Sequence, residues 1–478
     1  MEWALCLGHA VLGALLLPLS RADAATRRRG IELVAAAGAG LGVALIGAGA
    51  AGGRAWRSVA FEPDTAVPAG FAIACSWVVV GAVGARRGRV EEAALAGAAS
   101  AGLALAATGG FVVPALVFWL CSSLAVAALA GVGGARRVWA ALAASDAAVC
   151  AASIAYVVSE DTWAVGTSSG GVAFWLFAVA ATARGAIYLA GPGSAAGTRA
   201  SAVAPLMAGG AVTLAVRAGR PEPGVALAVL AIAGAALGWA LWKDRLSARL
   251  VAAWPAGLAL AICFVAPGHA PLAGAVAALA AGAGALMPHT GDRAGFERGL
   301  GVAAVPLTAG FGVVAAGATV SFERATGAAT SLTSAPWTAV TALLPAALAG
   351  GVVLAARTAR ADAREMVPEA VLATWALLAA SVVVGLAPGI LGGSDTGLGA
   401  SGGVALLQGA ALAGAIGAVV AARRWGVVLD APAERAWARP LEEAAFPRPV
   451  MWASAITGVA TAGAAGWLTV WGLSVGFL

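Results

Sequence analysis

Along its whole length the chain alternates continuous apolar runs of about 17–24 residues with short polar loops, and nothing else in the sequence constrains its fold so strongly. As an α-helix, a run of that length crosses the roughly 30 Å hydrocarbon core of a bilayer. A transmembrane β-barrel would instead show runs of about ten residues in which apolar and polar positions alternate. Composition agrees with the first reading. Of the 478 residues 61% are hydrophobic and 11% charged, and the mean hydropathy is +0.90, which excludes a water-soluble globular domain. The 66 glycines have no three-residue period and sit among Ala, Val and Leu, so they serve close helix approach rather than a collagen-like or linker role. The expected fold is all-α and polytopic.

About sixteen candidate spans emerge, giving an expectation of about 14–16 transmembrane helices. They lie near 2–20, 31–50, 67–85, 91–108, 110–131, 139–158, 170–190, 200–217, 223–242, 249–267, 270–288, 299–320, 337–356, 367–390, 402–422 and 452–475. Loop charge orients them. Arg27 to Arg29, Arg86 to Arg89, Arg136 with Arg137, Arg245 with Arg249, Arg357 to Arg364 and Arg423 with Arg424 all follow odd-numbered spans. Loops after even-numbered spans are poorer in arginine or balanced by acids, as at Glu160 and Asp161; Arg217 and Arg220 are the exception. The alternation puts the arginine-rich loops in the cytoplasm and both termini outside, in the inner (cytoplasmic) membrane of the cell. It also explains the net charge of +6 without nucleic acid as a partner. The apolar N-terminus has only Glu2 ahead of it and is read as a first span, although Ala22-Asp23-Ala24 has the look of a cleavage site. Residues 426–449 form the longest polar stretch, and Ala433, Trp437 and Leu441 at i, i+4, i+8 give it an amphipathic, surface-lying face.

The chemistry is sparse. Asp146, near the middle of span six, is the clearest buried ionisable residue, and Arg184 in span seven is its natural partner. Ser122, Ser123, Thr182 and Thr213 could hold water beside them. Five scattered cysteines without a CxxC read as small core residues, and three dispersed histidines form no cluster, so neither a metal site nor a cofactor is expected. No phosphate-binding loop or zinc-protease motif occurs, and no catalytic centre of its own is expected. Span seven runs into Gly191-Pro192-Gly193, and span twelve contains Pro306 and Gly310. Two such interruptions in corresponding positions point to inverted repeats with two broken helices lining a polar pathway.

With these residues in hand, the chain resembles the antiporter-like proton-translocating family, comprising the L, M and N subunits of respiratory complex I, the large Mrp antiporter subunits and related membrane subunits of hydrogenase complexes. Ala115 to Leu124 looks like the family's fifth helix, LFLGWELLSL, Ser201 to Arg217 like the stretch around TPVSALLAG, and Pro306 to Phe311 like the PPLAGF break. Glu365 to Pro368 with Gly385 to Gly389 resembles a late helix, and the order agrees over about residues 75 to 395. The resemblance implies one membrane domain over residues 1–478: N-terminal helices in 1–109, a first repeat in 110–242, a second in 249–390, and C-terminal helices in 402–478. It implies other membrane subunits, and the bilayer itself, as partners.

The departures concern proton transfer. Where the family has its helix-five glutamate this chain has Leu120; its lysines in helices seven and eight fall on Thr182 or Ala183 and on Thr213. The His and Lys of helix eleven fall near Leu279 and Ala283, and the lysine after the GF break near Val314. Lys243 is the only lysine in the chain. Arginine is a poor substitute, because it does not release a proton. The expectation is an antiporter-like subunit of a complex I-like or hydrogenase-like ion-translocating assembly, with a degenerate channel and a structural or coupling role. One rival is an active cation/proton or inorganic-carbon transporter subunit with rewired charges. A second, a polyprenyl-linked glycosyltransferase, needs a charged loop motif that the short loops do not offer.

Overall fold

The computed structural model describes residues 2–51, 63–87, 89–130, 135–168, 170–189, 202–242, 248–286, 308–328, 330–358 and 367–387, with residues 289 and 391. Among them the chain is a succession of helices that meets the first fourteen expected spans in order. They are α1 (Glu2–Leu16), α2 (Ala24–Ala50), α3 (Pro63–Val79), α4 (Val90–Thr108), α5 (Val112–Ala130), α6 (Ala135–Glu160) and α7 (Gly171–Leu189). After these come α8 (Val203–Ala218), α9 (Pro223–Trp242), α10 (Ala248–Cys263), α11 (Ala270–Leu286), α12 (Ala309–Thr326), α13 (Ser331–Thr358) and α14 (Pro368–Leu386). Eight of the helical stretches are long and apolar enough to cross a membrane. The protein is a multi-pass, all-α membrane protein. The last two expected spans and the amphipathic segment 426–449 lie outside the described residues.

In a bilayer, helix ends and polar side chains need partners within the protein. Asp23 caps α2: its side chain accepts from the amides of Ala25 and Thr26 and from the Thr26 hydroxyl, which holds this exposed carboxyl below the usual carboxylate range. Within the bundle Thr108, Thr182, Thr213, Ser321 and Thr374 donate their hydroxyls to the carbonyl four residues back, hiding the polar group against its own helix. The end of α3 departs from plain α-helix. Val80–Gly84 forms a π-turn before the chain returns to α-helix at Ala85–Arg87, an irregularity that a uniform apolar run does not announce.

Helices α3 and α11 are the centre of the bundle, with 89% and 94% of their span windows buried, whereas α1, α2 and α14 at the periphery bury only 22–28%. Small residues make the centre possible. A methyl group at Gly274 of α11 would come within 2.5 Å of the Pro68 ring of α3, and one at Gly209 of α8 within 2.3 Å of Ala72. Three helices therefore meet on Pro68 and Ala72 at backbone distance. Replacing Gly274 by Ala should push α11 off α3 and cost about 1–3 kcal/mol. Gly40→Ala, where the added methyl meets nothing within 4 Å, should instead leave stability level or slightly higher. Thermal unfolding in one detergent compares the two; equal midpoints would contradict this packing.

Four of the five cysteines are buried as expected, but Cys121 is exposed, turned outward on α5. Its place among apolar neighbours fits a lipid-facing position as readily as a core one, and the sequence pattern does not separate the two.

Candidate functional site

The ionisable pair singled out by the sequence comes together in the structure. Asp146 lies near the middle of α6 and Arg184 in the second half of α7, and the Ser145 hydroxyl donates to the Ala180 carbonyl at 3.0 Å, which ties the two helices beside the pair. Arg184 Nη1 donates to Asp146 Oδ1 at 3.3 Å. The side chains are 1% and 9% exposed, so both charges are withdrawn from lipid and water alike.

Helix α5 completes the arrangement with two residues one turn apart, Trp119 and Ser123. The Trp119 indole N–H donates to Asp146 Oδ1 at 3.0 Å and the Ser123 hydroxyl donates to the same oxygen at 2.9 Å. Ser123 also accepts from Arg184 Nη1 at 2.9 Å. The Arg184 guanidinium carbon lies 4.1 Å from the centre of the Trp119 ring, a desolvated cation–π contact worth about 2 kcal/mol. One carboxylate oxygen thus receives three donors. Arg184 Nε has no hydrogen-bond partner among the described residues. Gly210 of α8 makes room for the cluster: a methyl group there would sit 2.9 Å from Arg184 Nε and 3.3 Å from the Trp119 ring.

Below this cluster, a cavity of about 60 Å³ runs between α4, α5, α6, α7 and α8, and on a scale of roughly 10–15 Å³ per molecule it has room for a few waters. Trp119 forms one end, and Ser153, Tyr156, Thr213 and Arg217 supply its polar lining. The loop between α6 and α7 crosses the other end. Val165 donates its amide to Gly110, Val112 donates to Trp163, and Tyr156 donates its hydroxyl to the Ala164 carbonyl at 3.3 Å.

The remaining sequence candidates divide. Ser123 is in the cluster; Thr213 lines the cavity, although its hydroxyl donates to Gly209. Ser122 turns away from the pair and donates to the Ala99 carbonyl of α4 at 2.8 Å, and Thr182 donates to Ala178 on its own helix. Gly310 sits in the first turn of α12, which begins at Ala309 after Thr308. Gly191, Pro192, Gly193 and Pro306 lie outside the described residues. Sequence reasoning missed Trp119, whose one signal was its position four residues before Ser123 on the same helical face. It also treated Arg217 as a break in the loop-charge rule. In the structure Arg217 donates to the Ala107 carbonyl at 3.3 Å, next to the C-terminus of α4, so it caps a helix as well as lining the cavity.

Chemically the cluster neutralises a buried charge. An arginine does not release a proton at physiological pH, and the carboxylate it faces accepts three hydrogen bonds.

No protein-family profile matches the sequence, and no curated protein matches it. Solved structures do. A chain of respiratory complex I from Thermus thermophilus with bound aureothin superimposes with a TM-score of 0.56 at 20% identity, covering 82% of this chain and 98% of that one. A chain of the Mrp complex from Dietzia sp. DQ12-45-1b superimposes with a TM-score of 0.60 at 15% identity, covering 97% of this chain and 62% of that one. This chain therefore spans less than two thirds of the Mrp chain it matches. What is shared is the fold, and it is the fold that the sequence resemblance implies.

Proposed function

We propose that the chain is an antiporter-like membrane subunit of a multisubunit, ion-translocating assembly of the complex I-like or hydrogenase-like kind, in which it couples and packs partner subunits while its own proton channel is degenerate. The observation that carries the reading is the Asp146–Arg184 cluster: where a relay needs a side chain that gains and loses protons, this chain holds a fixed cation against a carboxylate with three donors. The fold shared with chains of two multisubunit complexes supports the assembly half of the proposal. The scarcity of lysine, Lys243 alone in 478 residues, supports the other half. In this reading Asp146, Arg184 and Ser123 are a structural remnant of a pathway, and Thr213 lines the water-holding side of it. Loop charge supports an orientation in the inner membrane with the termini, and with them the α6–α7 loop, on the outer face.

A tagged chain extracted from its native membrane in a mild detergent should migrate as a stable complex with further membrane subunits, in fixed stoichiometry across purifications. A chain that runs alone under every mild condition would contradict the subunit reading and favour the alternative, a self-contained cation/proton or inorganic-carbon transporter with rewired charges.

A further inference from the structure

We propose that Trp119 is a gate, a movable side chain separating the water-holding cavity from the buried Asp146–Arg184 pair. The inference rests on reading that pair as the polar end of a closed pathway and names the residue that closes it. Three observations converge on one indole. Trp119 lines the cavity, whereas Asp146, Arg184 and Ser123 do not. The same ring donates its N–H to Asp146 Oδ1 and lies under the Arg184 guanidinium. The cavity also stops close to the pair: Val149, one turn beyond Asp146 on the same face of α6, is in its wall, which at 1.5 Å per residue is a separation of about 4.5 Å along the helix.

Elsewhere the cavity has what water requires. Ser153 and Tyr156 continue the Asp146 face down α6, while Thr213 and Arg217 face them from α8, so polar groups recur along the path from Trp119 to the α6–α7 loop. With the indole in place the ion pair meets protein alone on this side. With the indole rotated away, water in the cavity reaches Asp146 directly, and the Trp119 hydrogen bond is replaced by one from water. The device is one-sided, since the cavity leads toward the α6–α7 loop and the Arg184 side of the pair is packed against Gly210. Such a gate lets the pair sense one face of the membrane without forming a route across it.

The test is thiol accessibility in the full chain, in detergent and in nanodiscs. Ser153→Cys places a thiol in the cavity and Ser123→Cys places one behind the indole; methyl methanethiosulfonate, small and neutral, is the probe, and site-resolved mass spectrometry reads each position apart from the native cysteines. With Trp119 intact, Ser153→Cys should react at least tenfold faster than Ser123→Cys. Adding Trp119→Ala should raise the Ser123→Cys rate at least tenfold and leave Ser153→Cys unchanged, the latter also showing that the fold persists. If Trp119→Ala does not yield folded protein, Trp119→Phe, which keeps a ring over Arg184 but loses the N–H, should raise the Ser123→Cys rate several-fold. Equal rates at the two positions with Trp119 intact, or a Ser123→Cys rate unmoved by the folded Trp119 variant, would overturn the gate. The functional reading fails separately, by proton flux through the intact chain whatever the labelling pattern.

Discussion

Asp146→Asn should destabilise the protein by about 3–5 kcal/mol, the cost of leaving a buried arginine without its counter-charge. Arg184 is 1% exposed, its Nη1 donates to Asp146 and Ser123, and it packs against Gly210 and Trp119. Replacing both members, Asp146→Asn with Arg184→Met, removes the orphaned charge and should recover most of the loss, because a buried ion pair contributes little net stability over an apolar pair of similar volume. The double-mutant cycle therefore carries a coupling of about 2 kcal/mol or more, readable from unfolding midpoints in a single detergent. Additive losses would mean that the two groups do not depend on each other, and the cluster as described would be wrong.

Most of the fold was written in continuous apolar runs, because in a bilayer the length of a run and the satisfaction of its backbone decide the element. The start and end of α9, read as residues 223–242, match Pro223–Trp242, since a proline at the helix start and a charged loop at its end are local signals. The π-turn at Val80–Gly84 was not legible, because it depends on what α3 packs against rather than on its own hydropathy. At the site, Asp146 and Arg184 stood out by cost alone: a charge inside an apolar run has to find a partner. Trp119 did not, since a tryptophan in an apolar helix is an ordinary core residue until the tertiary structure puts a carboxylate at its N–H and a guanidinium over its face. Ser122 and Thr182 were read as water-holding hydroxyls, but the structure satisfies them with the carbonyls of Ala99 and Ala178, a choice between neighbouring acceptors that spacing does not reveal. Arg217 looked like a topological exception because loop charge counts arginines without knowing which of them fold back to cap a helix.

Proton flux in liposomes tests most directly whether this chain holds a charge in the membrane without conducting through it. Conduction needs an unbroken series of groups or waters that can gain and lose a proton, and each gap is a region where a bare charge would be unstable by several kcal/mol. Here the cavity ends at Trp119, the pair beyond it contains an arginine, and the hydroxyls of Thr182 and Ser122 are bonded to backbone rather than to the pair. The purified chain should be reconstituted with a pH-sensitive dye inside the vesicles and a potential imposed by potassium and valinomycin. The predicted result is a proton flux equal to that of protein-free vesicles, for the native chain and for Asp146→Asn alike. A flux well above protein-free vesicles that is lost in folded Asp146→Asn would contradict the account and identify the chain as an active transporter with rewired charges.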